Sequence, residues 1–113
     1  MSNDLLHDIQ RLQDELRASI KQLRTNGTNL AKAEHDYKIA IKEKAIKLRS
    51  EDMAVTMISL TIYGYKDIAE LRLKRDIAKT VYEANQEHIN ATKLILRLLE
   101  AQLNREWSTD LAD

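Results

Sequence analysis

Three histidines, no cysteine and a scatter of arginines are what this sequence offers to chemistry. His7, His35 and His88 lie far apart in the chain, and none stands in the Glu-x-x-His spacing by which helical bundles hold two metal ions. His35 reads as a surface residue and His88 as a partly buried one, so no metal site is expected. The sequence has no glycine-rich phosphate loop, no nucleophile elbow and no His-Glu-x-x-His run. Without cysteine there is no disulfide framework and no thiolate ligand set. The expectation is a protein that is not an enzyme and needs no cofactor.

The one enzyme class worth weighing is the all-helical chorismate mutase type, which joins long and short helices in a dimer and grips a dianionic substrate with Arg and Lys. Arg17, Arg24, Arg49 and Arg75 are the residues available for such a role, but their spacing does not match it. Charge distribution offers a different chemistry. The 18 basic and 18 acidic residues cancel, which removes the simplest case for nucleic-acid or membrane-surface binding. Residues 32 to 79 nevertheless hold 11 basic against 8 acidic residues, leaving 7 against 10 for the two ends. Lys42, Lys44, Lys47, Arg49, Arg72, Lys74, Arg75 and Lys79 form a candidate phosphate-binding cluster. The plainer reading is a solvated face, because Glu34 with Lys38, Glu43 with Lys47 and Glu70 with Lys74 are spaced four apart and pair within helices. Only Tyr63 and Tyr65 are placed to stack on bases.

The elements that must carry these residues are long helices. Proline is absent, glycine occurs only at Gly27 and Gly64, and Leu, Ala, Lys, Glu, Arg and Gln dominate. In the first half, Ile9, Leu16, Leu23, Leu30 and Tyr37 repeat every seven residues, with Leu5, Leu12, Ser19, Asn26, Ala33 and Ala40 as companions. This predicts a helix over about residues 4–50. Asn26-Gly27 is a helix-stop signal and Thr28 is a possible cap for a fresh helix, whereas the unbroken apolar phase favours continuity. A helix broken at 26–28 and a continuous one both fit.

A second long helix is predicted over about 67–107. Asp67 followed by Glu70 has the layout of a capping box, and Gly64 is placed to end the segment before it. One seam runs through Ile68, Leu71, Ala78, Tyr82, Ile89, Leu96, Leu99 and Leu103, interrupted by Arg75, Asn85 and Thr92. A second runs beside it through Leu73, Ile77, Val81, Ala84, His88, Ala91, Ile95 and Leu98. Two apolar stripes on one helix require two sets of neighbours. The first-half helix supplies one, so a partner chain is expected on the other. At 1.5 Å per residue the two helices measure roughly 70 and 60 Å, which suits an antiparallel hairpin.

Between them, residues 53 to 65 carry no charge, in a chain that is 32% charged. Asp52 can cap a short helix there and Gly64 can end it, so a short apolar helix over about 53–63 is expected, covered by the hairpin or a partner. Thirteen uncharged residues are too few to span a bilayer, which takes about 20. "MSNDLLHDIQ" is too acidic and too short of apolar residues for a signal peptide. The expected setting is cytoplasmic, with no membrane partner.

The runs "NLAKAEHDYKIAIKEKAIKLRSEDMAVTMISL" and "DIAELRLKRDIAKTVYEANQEHINATKLILRLLEAQLNREW" resemble a family of small helical proteins from phages and prophages of Gram-positive bacteria. The similarity spans roughly residues 5 to 107. Its most specific pieces are Ala33-Glu34 with Asp36-Tyr37-Lys38, Leu71-Arg72 with Arg75-Asp76, and Arg105-Glu106-Trp107. The resemblance implies a bacterial host's cytoplasm and a neighbourhood of phage recombination and replication functions.

Hairpin arithmetic with a turn near residue 58 brings Tyr37 close to Tyr82 as a packed pair. It sets His35 near Val81 rather than His88. Trp107 is placed to anchor the N-terminal arm or a partner. Asn26, Arg75, Asn85 and Thr92, polar within apolar seams, are expected to set register and partner number. The sequence therefore predicts one all-α domain over 1–113, an antiparallel coiled-coil-like hairpin assembling as an oligomer, a dimer being favoured. Leu73, Ile77, Val81, Ala84, Ile95, Leu98, Met57 and Ile58 are its candidate interface. Its expected role is non-enzymatic: helical contacts with an unidentified phage or host protein, accessory to phage DNA replication or recombination. The alternative is a nucleic-acid binder using the basic bend.

Overall fold

A computed structural model describes the backbone of residues 2–112 and the side chains of residues 3–109. Among the described residues every regular element is helical, in the order α1 (Ser2–Ser50), α2 (Val55–Thr61), a 3₁₀ turn (Ile62–Gly64) and α3 (Lys66–Ala112). The chain divides into two compact units: Asn26–Tyr82, and Met1–Thr25 with Glu83–Asp113.

α1 runs without interruption through Asn26 and Gly27. Gly27 keeps an ordinary negative φ, and a β-carbon built on it would meet the ring of Tyr82 at 3.4 Å. Glycine lowers helix propensity there, but the heptad contacts on either side outweigh about 1 kcal/mol. Asp4 in the first turn and Lys47 and Arg49 in the last complement the helix dipole.

α1 stops by a left-handed residue. Asp52 takes φ 66°, the only positive φ among the described non-glycine residues. The Met53 N–H donates to the Leu48 carbonyl (3.1 Å) and the Asp52 N–H to that of Arg49 (3.1 Å), the paired bonds of a Schellman motif. Met53 then packs against the apolar cluster that includes Leu48, as is common at this ending. Asp52 therefore terminates α1 and does not cap the short helix. The residue before α2 is Ala54, extended at ψ 143° and without a side-chain cap.

With no cap, α2 depends on packing. In the unit Asn26–Tyr82, Leu48, Ile58 and Ile62 form a buried cluster joined by Ile41, Ala45, Met53 and Tyr65. Ile68 is completely buried. The 3₁₀ turn ends at Gly64 as expected, but α3 starts at Lys66, so Asp67 lies inside its first turn. Asp67 accepts the Ile68 N–H at 3.0 Å and an ion pair from Lys44 at 2.9 Å in place of the capping-box role. In this unit Lys44 of α1 lies beside Asp67 of α3, and Tyr37 beside Arg75.

In the other unit Leu5, Ile9, Leu12 and Leu96 are buried together, with Leu16, Leu99 and Leu103 packed around them. The Asn85 side-chain amide donates to the Ser19 carbonyl (3.1 Å), and His88 Nε2 lies 3.3 Å from a Glu15 carboxylate oxygen. Buried Thr92 returns its hydroxyl to the His88 carbonyl of its own helix at 2.8 Å. Asn85 thus ties two helices of the same chain at one register.

Candidate interaction surface

The two stripes predicted on α3 have different fates. All members of the first are buried or half-buried, including its polar positions Arg75, Asn85 and Thr92. All members of the second, Leu73, Ile77, Val81, Ala84, His88, Ala91, Ile95 and Leu98, are exposed. From Val81 onward each member of the second precedes one of the first by a single residue, which places it about 100° further round the helix. The first set advances by alternating steps of three and four, the spacing of a coiled-coil seam, and the second does so from Val81 onward, after two steps of four from Leu73. α1 covers one seam in each unit. The other faces solvent with Leu73 at 59% and Ile77 at 56% exposure.

In the unit Asn26–Tyr82 the second stripe borders a groove of about 410 Å³. Asn26, Asn29, Lys32, Ala33 and Asp36 of α1 form one wall, and Lys74, Ile77, Ala78 and Val81 of α3 the other. Its floor is aliphatic and its rim carries both signs of charge. The rim residues on α1 were not singled out by periodicity, because Asn29, Lys32 and Asp36 look like ordinary solvated positions until α3 is laid beside them. In the other unit Ile95 and Leu98 are exposed at the same kind of seam position.

The uncharged segment proves to be only half covered. Ile58 (8% exposed) and Ile62 are buried, whereas Met57 (48%), Leu60 (79%), Val55 and Tyr63 are open to solvent. Beside α2 a shallow apolar groove of about 470 Å³ is lined by Ala45, Ile46, Arg49, Val55, Ile58 and Ser59. Absence of charge marks a surface here as much as a core. Of the candidate interface residues, Ile58 belongs to the chain's own core, while Met57 and those on α3 are accessible.

The basic cluster is partly committed. Lys44 pairs with Asp67 and lies 4.9 Å from the centre of the Tyr65 ring. Lys44 holds the Asp67 carboxyl below its ordinary value of 3.8, with the Ile68 N–H assisting. Arg75 bonds Asp76 at 2.7 Å, which raises its pKa, and stacks 4.7 Å from the Tyr37 ring centre. Arg72 sits over Tyr63 at 5.7 Å, and Arg49 donates to the Met53 carbonyl at 3.1 Å. Lys42, Lys47, Lys74 and Lys79 are exposed, but Glu43 and Asp67 share a small cleft with Lys44 and Lys47. Carboxylates therefore interleave with the cations.

The predicted Tyr37–Tyr82 pair does not form. The Lys44–Asp67 contact centres the pairing between residues 55 and 56, about two residues before the assumed turn, so Tyr37 meets Arg75 and Tyr82 meets Gly27. Tyr37 is buried under a guanidinium, a cation–π arrangement that also explains how Arg75 is tolerated in an apolar seam. Trp107 is 55% exposed. His35 lies 3.3 Å from Asp36, and Arg17 pairs with Asp14 on the surface.

No family model, curated protein or solved structure matches this chain. Among the described residues no group of three or more His, Asp or Glu is placed to hold a metal ion. Among the same residues no helix is long and apolar enough to cross a membrane.

Proposed function

We propose that this chain is a non-enzymatic interaction protein that works by offering helical surfaces to other protein chains. In this reading the two long helices form an antiparallel hairpin that assembles as a homo-oligomer, most simply a dimer. The observation that carries it is the second seam of α3: aliphatic residues at coiled-coil spacing, exposed along a helix whose other seam is already buried. Surface aliphatics scattered singly need no explanation, but a periodic row beside a groove is what a protein interface requires. The contacts of Lys44 with Asp67 in one unit and of Asn85 with Ser19 in the other support the hairpin.

The biological setting follows the resemblance of the Ala33–Lys38, Leu71–Asp76 and Arg105–Trp107 pieces to phage and prophage proteins. It is a role accessory to phage DNA replication or recombination, in the host cytoplasm, through contact with a phage or host protein. Neutral net charge and carboxylates set among the bend cations favour a protein partner over DNA. Light scattering behind size exclusion, at low and high salt and with duplex or single-stranded DNA, tests this. The expected result is an oligomer whose mass ignores salt and both DNAs, since apolar contacts survive salt and phosphate contacts do not. A monomer at all concentrations, or a salt-sensitive DNA complex, would overturn it.

A further inference from the structure

The groove of the unit Asn26–Tyr82 has a rim of mixed sign. Lys32 and Asp36 stand on the α1 side and Lys74 on the α3 side, all exposed, around a floor that includes Ile77 and Val81. A partner of strongly acidic or basic character would meet a like charge on one wall or the other. Lys32 shares the α1 wall, but with Asp36 on that wall and Lys74 on the other the surface can pair an acid with a base of its own copy when rotated by a two-fold axis. That is the condition an isologous dimer must meet, because each patch contacts its own copy.

Resting on the protein-binding reading above, we infer that the groove's occupant is α3 of a second copy of this chain. In that two-fold arrangement Ile77 and Val81 of each copy enter the other's groove, and Asp36 of each faces Lys74 of the other. The seam spacing supports a helix as occupant, since Ile77 and Val81 lie four apart, one helical turn, and the buried stripe of the same α3 already packs on a helix. Asp36 lies beside its neighbour His35 at 3.3 Å, and its side chain is 55% exposed, so it is open to a second chain.

The test is charge-reversal complementation with Asp36→Lys and Lys74→Asp in the full chain. Both sites are exposed, so circular dichroism should report unchanged helicity for each variant. In a two-fold dimer each variant alone brings like charges together twice. Its dissociation constant should rise at least about tenfold, as measured by sedimentation equilibrium. Mixing the two variants restores opposite charges at both contacts, and 1:1 heterodimers should form with an affinity near that of the wild type. Wild-type dimers whose mass ignores either substitution, or variants that dissociate singly and stay apart when mixed, would overturn this arrangement while leaving the protein-binding reading in place. In the first of those outcomes the groove belongs to a different protein. A wild-type chain that is monomeric throughout would overturn both.

Discussion

Replacing Gly27 by alanine should make the protein more stable. Gly27 lies inside α1 with a negative φ, and a β-carbon built there would meet Tyr82 Cε2 at 3.4 Å and Cδ2 at 3.9 Å. Those are contact distances at the near edge of the ordinary range, so the methyl group fits with at most a slight shift of the ring. Helix propensity then favours alanine by about 1 kcal/mol, largely by restricting the unfolded chain. For a chain of this size that corresponds to a rise in Tm of about 4 °C. The same substitution has the opposite sign if the helix is broken at this point. A glycine ending a helix takes the left-handed conformation, where alanine costs roughly 1 kcal/mol. Urea unfolding followed by far-ultraviolet circular dichroism, at one fixed protein concentration because assembly would add to stability, decides between them. A midpoint lowered by the substitution would refute the continuous α1 described here.

Three other perturbations follow from the bend. Asp52→Gly should add about 1 kcal/mol to unfolding free energy by removing the left-handed strain at φ 66°, a gain readable in the same urea titration. Ile58→Asp should unfold the unit that contains it, costing several kcal/mol, whereas Met57→Asp, one residue away but half exposed, should leave thermal unfolding nearly unchanged. Equal effects at the two positions would contradict the orientation of α2. Asp67 has a folded-state pKa below 3.8, so its contribution to stability is present above that value and is lost as pH falls through the folded one. Asp67→Asn should accordingly flatten the acid limb of the stability curve below about pH 4, a comparison that acid titration of the two proteins makes directly.

Much of the helical pattern was legible because heptad spacing reports which face of a helix is covered. The buried stripe from Ile68 to Leu103 is found as read, polar interruptions included. The exposure of the second stripe was legible only as an imbalance: two seams on α3 against one on α1. What the sequence did not reveal depends on conformation between periodic segments. Asp52 looked like a helix start because Asp is a good N-cap, but its left-handed backbone made it an ending. Residues 53 to 65 looked covered because they lack charge, yet seven residues of α2 can bury one narrow side only, and Leu60 is left outside. The Tyr37–Tyr82 pairing failed by a register error of a few residues, enough to exchange an aromatic partner for a guanidinium. The mixed-sign groove needed two walls from distant parts of the chain, so no local motif announced it.

The central claim is that the exposed seam of α3 binds protein. Sedimentation equilibrium of Ile77→Lys beside the wild type tests it most directly, because Ile77 is 56% exposed and a lysine there leaves the chain's own core untouched. The account predicts an oligomeric wild type and a variant of equal helicity that sediments as a monomer. A variant with the wild type's mass would contradict it.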